Sequence, residues 1–189
     1  MEGNGIAGSP APRIFVALKI EPDIARKLAE LAQPLVRFAV RPVAKEDIHL
    51  TLVPPWNEPA TTNAIEKLRR VADKCCAFRL RFGHLGYGPD PKRPRLLWVE
   101  CDAGNELVIL HSALLMEFGQ REERPLLPHV TLARIRSNAA EIARKCPVDQ
   151  NIDLAQEIGT VELMQSPPPG ERGYKVLASL PLRSSSQGF

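Results

Sequence analysis

Two tetrapeptides hold the residues best suited to chemistry: His49-Leu50-Thr51-Leu52 and His129-Val130-Thr131-Leu132, which lie 129 − 49 = 80 residues apart. Both read His-x-Thr-x. An imidazole titrates at about 6.5, so of two brought together one can be neutral and the other protonated around neutrality. Opening a cyclic phosphodiester needs that combination: a base to take a proton from water, and an acid to protonate the departing oxygen on the far side of phosphorus. Threonine hydroxyls beside them can donate hydrogen bonds to the non-bridging oxygens where charge accumulates. One His-x-Thr arises readily in any half-exposed strand, where threonine is favoured. Two copies, each at a strand start and together using two of the chain's four histidines, point to a shared site.

For the motifs to act together, each must sit on a strand. Side chains alternate there, so Leu50 and Leu52 can face a core while His49 and Thr51 share the other face, and the second copy can do the same. If the two halves are related by an approximate twofold axis, both polar faces meet across a cleft. The surrounding pattern supplies such a frame. Arg13 to Lys19 reads as a buried strand, and Pro22 opens a helix with Ile24, Leu28 and Leu31 on one stripe, ending near Pro34. An extended stretch at Phe38 to Arg41 follows, then a strand from Ile48 to Val53 that Pro54-Pro55 should stop. A helix over Thr61 to Cys76, a strand at Phe78 to Phe82 and a Gly/Pro-rich loop at Gly83 to Pro94 come next. Strand Leu96 to Cys101 and helix Glu106 to Phe118 precede the second motif strand, Val130 to Ile135. A short helix at Asn138 to Lys145 and strands near 152–155, 160–164 and 174–180 complete the chain. Strands interleaved with helices in two similar halves predict an α+β fold.

Composition narrows the field. The 189 residues are 44% hydrophobic, enough for one substantial core, so 13–183 is expected to form a single unit between a flexible lead-in, 1–12, and a flexible tail, 184–189. No apolar run approaches the roughly 20 residues of a membrane span, and 1–12 lacks the apolar core of a signal peptide, which together predict a cytoplasmic protein. Cys75, Cys76, Cys101 and Cys146 form no Cys-x-x-Cys pair, so reduced thiols and no structural zinc are expected. No His-Glu-x-x-His, acidic cluster or phosphate-cradling glycine signature is present, and neither metal nor cofactor is expected. A net charge of +3 permits a phosphate-bearing ligand without demanding one.

The paired motifs resemble the 2H phosphoesterase superfamily, specifically its RNA 2′,3′-cyclic phosphodiesterase branch, the 2′-5′ RNA ligase-like proteins. Arg13-Ile14-Phe15-Val16-Ala17, Pro128, Leu132-Ala133-Arg134 and Gly173-Tyr174 extend the likeness over about Arg13 to Leu182. The resemblance implies a bilobal fold, two pseudo-symmetric lobes with antiparallel sheets facing a central cleft and helices outside. It implies metal-free hydrolysis to a 2′-phosphate, with His49 as acid and His129 as base; the sequence alone is equally compatible with the reverse. A monomer acting on RNA with a 2′,3′-cyclic phosphate end, or on a small cyclic nucleotide, is expected.

Two further residues are candidates for substrate binding. Arg134 resembles the family's basic residue after the second motif, but strict alternation puts it on the face opposite His129 and Thr131, so a bulge would be required. Trp56 falls where the family has a Phe-Leu-Gly-like segment and this chain has Val53-Pro54-Pro55; it suits either nucleobase stacking or packing. Arg81, Lys92, Arg93 and Arg95 flank the Gly/Pro-rich loop and could attract an RNA backbone or simply be solvated. His84 and His111 have no paired threonine and read as structural or solvent-facing. Three other functions use the same residues: ATP-independent 2′-5′ ligation, cleavage of small cyclic nucleotides or 2′-5′ oligonucleotides, and RNA or nucleotide binding without turnover.

Overall fold

The computed structural model describes residues 11–121 and 125–184; the expected lead-in and tail lie, apart from residues 11, 12 and 184, outside them. Nine strands make one open sheet. β1 (Arg13–Lys19) leads into α1 (Pro22–Glu30), and β2 (Val40–Pro42) precedes β3 (His49–Asn57) and α2 (Thr61–Ala72). β4 (Phe78–Gly88), β5 (Leu96–Asp102), α3 (Gly104–Phe118), β6 (His129–Ile135), α4 (Ala139–Lys145), β7 (Gln150–Ile158), β8 (Thr160–Gln165) and β9 (Lys175–Pro181) follow.

The strand order is β7-β4-β5-β6-β3-β1-β8-β9, with β2 paired to β6. It divides between β6 and β3. β1-α1-β3 and β5-α3-β6 are each an antiparallel pair that brackets a helix, flanked by antiparallel β8 and β4 respectively. The C-terminal strands β8 and β9 therefore complete the first half, while β4 to β7 make the second. The two motif strands, β3 and β6, meet at one ladder position, Leu50 opposite Val130. These residues each follow a motif histidine by one, so the pseudo-twofold relation passes between equivalent positions. A second tie lies at the far end: Gln156 of β7 accepts the Glu21 backbone N–H and donates to the Lys19 carbonyl, 3.0 Å each.

One face of the sheet is closed by the helices. Ile14, Val16 and Leu18 of β1, Leu28 of α1, Leu68 of α2 and Leu110 and Leu114 of α3 are all shut from solvent in a continuous core, each side chain contributing roughly 1.5–3 kcal/mol by leaving water. The opposite face carries the motifs. There β1 buries Phe15 and Ala17 against Met164 and Tyr174, so both faces of this strand are covered, as its unbroken apolar run predicts.

Two element boundaries differ from expectation for the same reason. β3 runs through Pro54-Pro55 because its pairing with β1 jumps from Val16–Val53 to Ile14–Trp56, and the prolines occupy the irregularity, where no ladder hydrogen bond is required of them. β4 continues to Gly88 instead of ending at Phe82, with register shifts between Phe82 and Leu85 that accommodate Gly83. The expected loop shrinks to Pro89–Arg95. α2 stops at Ala72, before Cys75 and Cys76, and all four cysteines are free thiols. Among the described residues no helix is long and apolar enough to cross a membrane.

Candidate active site

The register fixed by Leu50 and Val130 is antiparallel, so it turns His49 toward Thr131 and Thr51 toward His129. Each imidazole thus lies across from the other motif's hydroxyl. Among the described residues neither threonine hydroxyl has a hydrogen-bond partner within the protein, which leaves both available to a ligand.

A paired irregularity decides which later residue joins them. On β6, Trp98 faces Thr131 while Leu97 faces Ala133, so Leu132 is an extra residue. On β3, Ala17 faces Thr51 while Val16 faces Val53, making Leu52 extra in the same way. Both residues after each threonine turn into the core: Leu52, Val53, Leu132 and Ala133 are buried. The phase of the strand is reset, and Arg134 returns to the face of His129 and Thr131. It lines one cavity with His129, so this bulge meets the condition under which the sequence allowed Arg134 a role. The equivalent position in the first motif is Pro54, and one arginine serves the pair.

The two histidines are held alike. His49 Nδ1 and His129 Nδ1 lie 2.7 Å from the carbonyl oxygens of Asp47 and Leu127, two residues back in each case. A carbonyl only accepts, so Nδ1 carries the proton and the neutral ring presents an unprotonated Nε2. Both rings sit in aromatic niches. His49 contacts Phe15 at 5.0 Å and Tyr174 at 4.9 Å between ring centroids, and Tyr174 is tied down by its backbone N–H on Asp47 Oδ1 at 3.0 Å. His129 lies on Trp98 at 4.4 Å.

Burial in these niches lowers the pKa of both imidazoles below 6.5, because desolvation disfavours the cation. The backbone hydrogen bonds oppose this, and Asp47 and Glu100 favour the charged forms of His49 and His129 respectively. Arg134 pushes both pKa values down, and His129 further lowers that of His49. One guanidinium therefore acts electrostatically on both imidazoles.

Two cavities meet at His129 and Leu127. One, of about 560 Å³, is bounded by Thr51, Pro54, Leu115, Leu126 and Arg121 and is mostly apolar; His111 of α3 also lines it. The other, of about 540 Å³, contains Arg134, Trp98 and Arg95. Each is large enough for a nucleotide fragment.

Trp56 stands apart from both: its ring packs on Phe118 of α3 at 5.0 Å and its Nε1–H donates to Glu58 at 3.2 Å. It lines neither cavity at His129. His84 pairs with Asp149 at 2.7 Å, and His111 is buried on the inner side of α3. Phe15, Trp98 and Tyr174 were not legible as site residues. Their signal lies in pairing and in the ends of distant strands, not in the motifs. Gly88 is a further hidden support: a Cβ there would lie 2.3 Å from the Trp98 indole. Among the described residues no group of three or more His, Cys, Asp or Glu side chains is placed to hold a metal ion.

Comparison with known proteins shows the family and the fold. The sequence model of the 2′-5′ RNA ligase superfamily matches residues 19–166. An Aeropyrum pernix protein named RNA 2′,3′-cyclic phosphodiesterase is 32% identical over 146 residues, covering 72% of this chain and 78% of the relative. One of the same name from Archaeoglobus fulgidus is 26% identical over 137 residues, 69% of this chain and 77% of the relative. Among solved structures, a Thermus thermophilus protein superposes with a TM-score of 0.75 at 25% identity, covering 91% of this chain and 98% of its own. Escherichia coli LigT complexed with 3′-AMP gives 0.73 at 21% identity, with the same coverage; at that identity the likeness concerns the fold. The fold and the duplicated His-x-Thr site define a 2H phosphoesterase. This chain belongs to the 2′-5′ RNA ligase superfamily.

Removing the arginine charge gives two separable effects. Arg134→Gln should raise both histidine pKa values, shifting the kcat/KM optimum to higher pH, and should raise KM at any pH; an unchanged pH profile in a variant of normal stability would contradict its action on both rings. Gly88→Ala should displace the indole beneath His129, lowering kcat and costing about 1–3 kcal/mol in urea unfolding by overpacking.

Proposed function

We propose that the chain hydrolyses RNA 2′,3′-cyclic phosphate ends to 2′-phosphomonoesters, with no metal ion required. The observation that carries this reading is the matched pair of imidazoles, each with Nδ1–H given to the carbonyl two residues back, and both acted on by the charge of Arg134. The names of the A. pernix and A. fulgidus relatives support the substrate.

In this mechanism the cyclic phosphate lies between the motifs, its non-bridging oxygens taking hydrogen bonds from Thr51, Thr131 and Arg134. Neutral His129 Nε2 takes a proton from water as the oxygen attacks phosphorus. The P–O3′ bond breaks on the opposite side, and the departing O3′ takes a proton from Nε2–H of protonated His49. The products are a 2′-phosphate and a free 3′-hydroxyl; a proton passing from His129 to His49 through solvent restores the starting state. The threonines and Arg134 hold the added negative charge of the pentacoordinate transition state more strongly than the ground state, which is where rate enhancement arises.

Both motifs come from one chain, so the site is complete in a monomer. Four free cysteines suit a reducing compartment, and we place the protein in the cytoplasm.

With a short RNA ending in 2′,3′-cyclic phosphate, in EDTA, His49→Ala and His129→Ala should each reduce kcat by at least roughly 10²–10⁴, with thermal unfolding retained and 2′-phosphate as the wild-type product. Full activity in either variant, or loss of activity in EDTA, would overturn the mechanism. An added 5′-hydroxyl oligonucleotide should compete poorly with water; a dominant 2′-5′-linked product would make ligation the main reaction.

The pH dependence follows from the direction of the shifts. The base must be neutral, so activity rises with pH through its pKa; the acid must be charged, so activity falls as pH rises through its own. Both pKa values are depressed in the free protein, so kcat/KM should peak below pH 6.5. The kcat optimum should lie higher, because a bound phosphate anion favours the imidazolium. Identical profiles centred above neutrality would contradict this.

A further inference from the structure

The cavity that contains His129 and Arg134 does not end there. Its walls Pro89, Arg95 and Ile135 are also walls of a neighbouring cavity of about 500 Å³, bordered by Lys92, Arg93 and Arg136 near the start of α4. The two cavities adjoin at these shared walls and together form a groove that leads from His129, over the loop between β4 and β5, toward α4.

Its charge is one-sided. Arg134, Arg95, Lys92, Arg93 and Arg136 line it, against a single carboxylate, Asp90, whose Oδ1 accepts the Lys92 backbone N–H at 2.9 Å. Ion pairs do form elsewhere, as between Arg26 and both Asp23 and Glu30, Arg70 and Glu117, and Lys145 and Glu141. Among the described residues none of the five groove cations is in an ion pair. The like-charge row extends sideways as well, since Arg41 of β2 is the ladder partner of Arg134, an opposition that costs stability unless an anion relieves it. The groove floor is nevertheless fixed. The Arg95 backbone N–H donates to the Gly88 carbonyl, and the Arg95 carbonyl accepts the Ile135 N–H, both at 2.9 Å.

A run of unpaired cations spaced along a groove suits a ligand with repeated charge, not a lone phosphate. The other cavity at His129, walled by Leu115, Leu126 and Leu127, offers apolar surface for a ribose or base instead.

We infer that this groove binds the backbone of a single-stranded RNA on the 5′ side of its reacting end, so that the preferred substrate is an oligonucleotide and not a cyclic mononucleotide. The inference rests on the proposed hydrolase reading for its direction, and on the groove itself for its chemistry. Phosphates upstream of the terminal cyclic phosphate lie first near Arg95, then near Lys92, Arg93 and Arg136.

The test compares a five-nucleotide RNA ending in 2′,3′-cyclic phosphate with a 2′,3′-cyclic mononucleotide, using the full chain and a Lys92→Gln, Arg93→Gln, Arg136→Gln variant of unchanged melting behaviour. The wild type should show kcat/KM higher for the pentamer by roughly tenfold or more at low salt, and the variant should lose most of that difference while turning over the mononucleotide normally. Fluorescence anisotropy with a pentamer ending in 2′-phosphate should show the slope of log affinity against log salt reduced by about 2 in the variant, at about 0.7 per lost phosphate contact. Length-independent kcat/KM in the wild type, or a variant with the wild-type length dependence and salt slope, would overturn the groove. Failure to hydrolyse any cyclic phosphate would instead remove the catalytic reading, and the salt slope would still decide whether the groove binds RNA.

Discussion

The single ladder contact between Leu50 and Val130 is the constraint on which the site depends. It joins two halves that otherwise run as separate antiparallel sheets, and it does so one residue beyond each histidine. The spacing of the reacting groups is therefore set by backbone pairing and not by flexible loops. Diagonal neighbours across an antiparallel ladder stand about 7–8 Å apart, room for a tetrahedral phosphate between two imidazoles. Beyond that contact the strands part: β6 takes β2 as its neighbour, and β3 keeps only β1. The opening of the cleft and the fixing of its floor are two consequences of one short contact.

The electrostatics of the site make it complementary to an anion. Desolvation in aromatic niches and the Arg134 charge both disfavour imidazolium, so near neutrality the free protein holds two mostly neutral rings beside a permanent cation. A phosphate reverses this balance by neutralising the guanidinium and offering its own charge to the rings. In the proposed mechanism the protonated acid is thus favoured when substrate is present, and the same burial that lowers the pKa values makes that acid a strong donor.

Much of this was legible in the sequence because it rests on local periodicity. Alternation in 13–19 and around both motifs defines buried strands, and the duplicated His-x-Thr defines which faces meet. What escaped depends on pairing between distant segments. Pro54-Pro55 read as a stop, since proline lacks a donor, yet the register jump beside β1 removes the demand for one. Arg134 read as facing away, since alternation is the only rule available without a partner strand, and the extra residue at Leu132 becomes visible only against β5. Trp56 was open between stacking and packing, and its contact with Phe118, 62 positions away, is visible only in the fold. The aromatic supports Phe15, Trp98 and Tyr174 belong to three different segments, and no spacing within the chain unites them.

The departures from twofold equivalence explain how a duplicated frame can act on an unsymmetrical substrate. Both motifs share the carbonyl-held imidazole, the threonine and the bulge, which a phosphate, itself nearly symmetric, can use from either side. The positions around them differ. Arg134 corresponds to Pro54; Trp98, opposite Thr131, corresponds to Ala17, opposite Thr51; and Glu100, opposite His129, corresponds to Lys19, opposite His49. A nucleotide is directional, with a base and a 5′ strand on one side of the reacting phosphorus and none on the other. Equivalent surroundings would accept it in two orientations, with acid and base exchanged. Charge concentrated by Arg134 on one flank and apolar surface beside Leu126 and Leu127 on the other would give the two orientations different energies, and under the proposed mechanism two chemically identical histidines acquire different tasks in this way.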